Sequence, residues 1–204
     1  MSKESFKQRV WQQREQEILA KAGQMIHEEG YEKLNMDKIA EAVGVAKPTL
    51  YQHFKSKDEL IAKVMICGME MIEQYLHSMQ SDSPKVQLEH VYRMLLHKKY
   101  SPDSILAAVD VSEIMALVHT HPDIAGVKTR VTQHLCALVE EGKARGDFIQ
   151  HISTELMIHN MFCTLRTLQS SYHDRDAAFW RDHLDEKIDE QAAWFMRSIA
   201  PPTA

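Results

Sequence analysis

This sequence has little of what most alternatives to a helical protein require. Seven glycines and six prolines in 204 residues are too few for a chain of many short strands joined by tight turns. No sustained alternation of apolar and polar residues supplies the period of two that a strand needs. Three cysteines, Cys67, Cys136 and Cys163, stand far apart with no CxxC pair. An odd, scattered set points to buried thiols in a reducing compartment and not to a disulfide framework. No apolar run approaches the roughly 20 residues of a bilayer span. The opening stretch MSKESFKQRVWQQREQE is charged and has no apolar core of a secretory signal. The expectation is a cytoplasmic protein with no membrane partner.

Signatures of catalysis are missing too. There is no G-x-S-x-G, no glycine-rich phosphate loop and no H-E-x-x-H. The sequence therefore predicts no enzyme, no catalytic residue and no cofactor. Twelve histidines are many, and His119-Thr120-His121 ahead of Pro122 invites a metal site. Two histidines need further ligands, and no acidic or cysteine partner stands at a set spacing. No metal is assigned. A haem- or metal-sensing role for the C-terminal histidines stands as an alternative.

What is present is helical periodicity almost throughout, with hydrophobic residues at 44%. The fold class is all-α. A first helix is predicted over 12–29, with Ile18, Leu19, Ala22, Met25 and Ile26 as its buried face. A long helix starts near Lys57, where Ser56 can cap it and Glu59 complements the N-terminal dipole. Further helices are expected at 85–98, 103–119, 122–145, 152–172 and 176–199, punctuated by the Ser81–Pro84 turn, Pro102, Pro122 and Gly146.

The stretch NMDKIAEAVGVAKPTLYQHFKSK, Asn35 to Lys57, is the most specific. Ile39, Ala40 and Val43 form one apolar stripe, with Asn35 ahead of it as an N-cap. Gly44 can take the left-handed conformation of a tight turn. In the second short helix Val45, Leu50 and Phe54 can pack inward, while Lys47, Thr49, Tyr51, Gln52 and His53 remain available. This is the pattern of a helix-turn-helix, about 36–55, whose second helix enters the DNA major groove.

Residues 14–60 resemble the DNA-binding domain of TetR-type (TetR/AcrR) transcriptional regulators. The segment from Gly30 to Met36 is similar to that family's link between first and second helices. Ile39 to Val45 resembles its second helix and turn, and Ala46 to Lys57 its recognition helix and exit. Leu34 stands where threonine is common, and Ala46 where a serine often caps the recognition helix, a loss of about 1 kcal/mol of helix stability. Pro48 falls in the first turn, where its missing N–H lacks a helical partner anyway. The resemblance implies DNA contacts at Asn35, Met36, Lys47, Pro48, Thr49, Tyr51, Gln52, His53, Lys55 and Lys57. It also implies a three-helix N-terminal domain (1–56) joined to a larger effector-binding and dimerisation domain (57–204).

Charge follows the same division. Residues 1–57 hold ten Lys and Arg against eight Asp and Glu; residues 58–204 hold fourteen against twenty-one. The N-terminal end can face phosphates while the remainder is repelled from them. Lys3, Lys7, Arg9 and Arg14 read as a solvated tail more than as an arm reaching into a groove.

Two C-terminal stripes recur at near-heptad spacing. One holds Met157, Met161, Phe162, Leu165, Leu168 and Tyr172; the other holds Trp180, Leu184, Ile188, Ala192, Phe195 and Ile199. Such stripes suit a four-helix interface between identical subunits, or packing within one chain. TetR-type regulators dimerise through their last two long helices, so the resemblance assigns an interface to Met161, Leu165, Trp180, Leu184, Ile188 and Phe195. A homodimer would set two recognition helices about 34 Å apart for half-sites one helical turn apart. Met65, Met69, Met94, His97, Leu117, His119, Phe162, Cys163 and Arg166 are candidates to line a pocket for a small, mainly apolar effector. Arg166 needs an anionic partner, such as Asp110, Glu113 or an acidic ligand. The expected function is a ligand-responsive repressor that binds operator DNA as a homodimer and is released by its effector. Activation in place of repression stays open, as does an all-α protein-interaction module.

Overall fold

In the computed structural model, which describes residues 6–30, 32–79, 83–100, 121–172 and 182–202, helix follows helix. Among the described residues there are eight helices and no strand: α1 (Phe6–Glu29), α2 (Met36–Val43), α3 (Lys47–His53), α4 (Lys57–Ser78), α5 (Pro84–Tyr100), α6 (Pro122–Arg145), α7 (Thr154–Tyr172) and α8 (Leu184–Ser198). The all-α expectation holds. The helix expected at 103–119 lies outside the described residues. Two boundaries differ from the expectation. Helix α1 begins at Phe6, almost two turns ahead of Gln12, and α8 begins at Leu184 after His183, the expected start at 176 lying outside the described residues.

Described residues of Met1–Met69 and Tyr100–Ala125 form one compact unit, and those of Glu70–Lys99 and Gly126–Ala204 another. In the first, α1 packs on α2 and α2 on α3. Ile18, Ala22, Ile26, Ile39, Leu50, Phe54, Leu60 and Ile61 fill its core, the face that the periodicity marked. The turn between α2 and α3 closes on Gly44 at φ 74° and ψ 34°. The Val45 N–H reaches back to the Ala40 carbonyl at 2.9 Å, which only a left-handed residue at Gly44 permits without strain.

The second unit is tied by a buried polar cluster across α5, α7 and α8. Tyr92, fully buried, donates its hydroxyl to Thr164 Oγ1 at 2.7 Å and accepts from Gln191 Nε2 at 3.1 Å. Thr164 donates its hydroxyl to the Met161 carbonyl at 2.8 Å, so each hydroxyl has a partner, as a buried polar group requires. Burial is the main reason the Tyr92 phenol is pushed above its ordinary pKa. The Phe195 ring lies against Tyr92, centroids 4.5 Å apart, and Met161, Leu165, Ile188 and Phe195 are all buried within the single chain. This corrects the expectation that they face a second subunit. Among the described residues, most of both stripes serves the chain's own core. Leu184 is partly exposed, and Trp180 lies outside the described residues.

Candidate DNA-binding surface

The surface begins with two helix starts. Asn35 caps α2, its side chain accepting from the Lys38 N–H at 2.8 Å. That bond satisfies one of the N–H groups a helix start leaves unpaired. Met36 is buried, so only its backbone is available outward. Ala46 gives α3 no side-chain cap, as its residue type dictates, and Pro48 in the first turn reduces the number of N–H groups needing one.

Along α3, Leu50 and Phe54 are buried while Tyr51 and Gln52 are exposed and Thr49 is partly exposed. Lys47 is exposed and pairs with Asp37 at 2.7 Å, and that hydrogen bond and charge raise its pKa. An exposed pair of this kind contributes little to stability, so Lys47 can exchange Asp37 for a phosphate at small cost. Beyond α3, the Lys55 N–H donates to Glu59 Oε2 at 2.7 Å, and Ser56 Oγ accepts from the Glu59 N–H at 3.1 Å. These reciprocal bonds close the start of α4 and fix the chain at Lys55 and Lys57.

His53 departs from the expected outward face. Its side chain is 2% exposed and stacks on Trp11 of α1, ring centroids 3.7 Å apart and planes inclined 23°. Nδ1 has no hydrogen-bond partner; the nearest carboxylate oxygen, Glu15 Oε2, is 3.9 Å away, beyond hydrogen-bond range. A ring held under an indole is not placed to touch a base, so the His53 side chain packs on α1. The signal for it was in the sequence: Trp11, Glu15, Ile18, Ala22 and Met25 recur at helical spacing, so the buried stripe of α1 runs back to Trp11.

Burial pushes the His53 pKa down, with Arg14 adding to it, against the smaller upward pull of Glu15. A histidine depressed in the folded state favours its neutral form there. Its contribution to stability is therefore present above the unfolded value near 6.5 and is lost as pH falls through the lower folded value. Thermal unfolding of the wild type should shift down between about pH 7 and pH 5. Replacing His53 by Gln should flatten that dependence; an equally steep profile in the variant would place the titrating group elsewhere.

Candidate effector residues scatter. Met65 and Met69 are buried in the first unit; in the second, Met94 and Phe162 are partly exposed and His97 and Cys163 exposed. Leu117 and His119 lie outside the described residues, as does the side chain of Arg166, and so do its suggested partners Asp110 and Glu113. Cys163 lines a cleft of about 300 Å³ in the second unit, together with Ile149, Met157, Trp194, Phe195 and Ile199. Sequence reasoning missed this cleft, because Trp194 stands off the apolar stripe of α8. Among the described residues no three His, Cys, Asp or Glu gather as metal ligands, and no helix is long and apolar enough to cross a membrane.

Residues 18–64 match the sequence profile of the family described as bacterial regulatory proteins, tetR family. Residues 18–64 thus carry a TetR-type domain. Over 53 residues it is 43% identical to the transcriptional activator FasR of Mycolicibacterium smegmatis, a match covering 26% of this chain and 24% of FasR. The chain thus aligns with about a quarter of that relative's length. Against the fatty acid metabolism regulator protein of Bacillus subtilis it is 24% identical over 154 residues, 73% of this chain and 78% of the other. The structure of AibR in complex with isovaleryl coenzyme A and operator DNA superposes with a TM-score of 0.70 at 21% identity, covering 93% of this chain and all of that one. The family match falls on the helix-turn-helix described above. Its matched relatives are named as regulators and not as enzymes.

Proposed function

We propose that this protein is a homodimeric repressor whose residues 1–56 bind operator DNA and whose residues 57–204 bind an acyl thioester as effector, the apolar acyl chain being the part a helical core can bury. The observation that carries the DNA half is α3: Thr49, Tyr51 and Gln52 project from a helix anchored by buried Leu50 and Phe54. That geometry suits insertion into a major groove, with Asn35, the Met36 N–H, Lys47, Pro48, Lys55 and Lys57 around its rim for phosphate. The effector class is supported by the names of relatives: one regulates fatty acid metabolism and another was captured with isovaleryl coenzyme A and operator DNA. An effector that binds better to one conformation shifts the protein toward it, and DNA release follows if the recognition helices then miss the operator spacing.

Gln52 can bond adenine in both its donor and acceptor positions, and the Thr49 methyl can meet a thymine methyl. Gln52→Ala is expected to relax preference at one half-site position by about 1–3 kcal/mol. Equal weakening on every sequence, measured by competition with single-substituted duplexes, would make Gln52 a backbone contact.

The test of the function is DNA protection by the purified protein followed by titration with an acyl-coenzyme A series and free coenzyme A. Expected is a protected two-half-site sequence, a raised melting temperature with one acyl length and release of DNA at the same concentration. Protection with no response to any acyl chain would discard the effector class. Transcription in vitro from the protected promoter then sets the sign, a rise on release meaning repression.

A further inference from the structure

The first three turns of α1 precede residue 18, where the family match begins, and the function proposed above makes no use of them. The sequence alone made this segment a solvated tail. Its helicity argues otherwise, because an isolated helical extension is marginal in water unless something packs on it. Trp11 supplies that packing. Its ring lies 3.7 Å from that of His53, and His53 is the last residue of α3. The extension is therefore pinned to the exit of the recognition helix.

Between Phe6 and Arg14 there are three cations and no acid. They are not equivalent. Lys7 and Arg14 stand at i−4 and i+3 from Trp11 and share its face, whereas Arg9 points to the other side of the helix. Arg14 lies close enough to His53 to depress its titration; its exposed pair with Glu17 at 3.0 Å is of a kind easily exchanged. Among the described residues Glu15 is the acid within 4 Å of His53, at 3.9 Å, and Lys7 is two turns away from it along the axis.

We propose that the first three turns of α1 belong to the DNA-binding surface: the Trp11–His53 stack holds Lys7 and Arg14 against the sugar–phosphate backbone just outside the bases that α3 reads. The partner is the duplex because these cations stand on the face carrying the indole that packs on the recognition helix, and a polyanion is what such a set complements. The inference rests on the reading of this chain as an operator-binding regulator.

The experiment measures operator affinity over a salt series for the wild type, Arg9→Gln, Trp11→Ala, Trp11→Phe and the pair Lys7→Gln with Arg14→Gln. The pair is expected to weaken binding about tenfold and to flatten the salt slope by about two units per subunit, with the preference for operator over other sequences unchanged. Arg9→Gln should behave as wild type. Trp11→Ala should flatten the slope as the pair does, Trp11→Phe should restore it, and adding the pair to Trp11→Ala should cost less than a further twofold. An unchanged slope in the pair overturns the proposal, and so does an Arg9 variant that loses as much as the pair. Should Trp11→Ala melt well below the wild type, the pair and Arg9 alone decide. A wild type that binds no duplex would instead remove the regulator reading itself.

Discussion

Replacing Trp194 by glutamate is expected to yield folded monomers and to weaken a two-half-site operator by about 10²–10⁴-fold, the melting temperature falling by no more than subunit association contributes. Trp194 is 55% exposed and Leu156 46% exposed, on α8 and α7, the helices whose inner stripes fill the core. An indole standing in water beside a cleft lined by Ile149, Met157 and Phe195 is the kind of patch that a partner covers. The homodimer proposed above would use this outer face of α7 and α8. A carboxylate at that position would be buried unpaired in the dimer, at a cost of several kcal/mol, but would remain hydrated in the monomer. The operator loss follows from mass action: two tethered half-site readers gain an effective concentration that a monomer lacks. The adjacent residue is the contrast. Phe195 is 2% exposed, so Phe195→Glu should unfold the second unit and tells nothing about association. Sedimentation and gel shift check both variants, and a dimeric Trp194→Glu protein would send the interface to another face.

How much of this could be read in the chain depends on how local each feature is. The capping of α2 by Asn35, the left-handed Gly44 and the inward Leu50 and Phe54 are fixed by residues within one helical turn of each other, and all were legible. The starts of α4 and α6 were legible for the same reason, being set by Ser56 and Pro122. The stripes of α7 and α8 were legible as apolar faces but not as to what they face, because one period serves a subunit interface and a chain's own core equally well. Tyr92 decides between them: its hydroxyl partners lie 72 and 99 residues away, a pairing that no periodicity announces. His53 was misplaced through a similar gap. A polar residue at the end of an exposed face reads as available until the tryptophan forty-two positions earlier is known to lie over it.

Gly142→Ala, the mildest of substitutions and one that helix propensity favours by about 1 kcal/mol, should destabilise the second unit. Gly142 lies within α6, where no turn calls for glycine. The reason for it is Phe148. A Cβ on Gly142 would sit 2.1 Å from Phe148 Cε2 and 2.4 Å from Cδ2, far inside contact distance. The ring has nowhere to retreat, being 1% exposed. Both sides of it are held. The Asp147 N–H is bonded to the Gly142 carbonyl at 2.8 Å, and the Ile149 N–H to the Ile199 carbonyl at 2.9 Å. Lys143 Nζ, donating to the Ile152 carbonyl at 2.7 Å and to Thr154 Oγ1 at 2.9 Å, fixes the entry into α7, with Thr154 also bonded to Glu140. Overpacking of a site that cannot yield costs about 1–3 kcal/mol or more, so the clash outweighs the propensity gain. For a chain of this size each kcal/mol lowers the melting temperature by about 2–4 °C. Phe148→Ala alone should cost about 3–5 kcal/mol through the cavity it leaves. Adding Gly142→Ala to that variant should then cost nothing further or recover some stability, because the ring it would strike is gone and only the propensity gain remains. Denaturant unfolding of the two single variants and the double variant measures this directly. Strictly additive losses would mean that the ring and the missing methyl are unrelated, and that the close packing of Phe148 on α6 is not what Gly142 is there to permit.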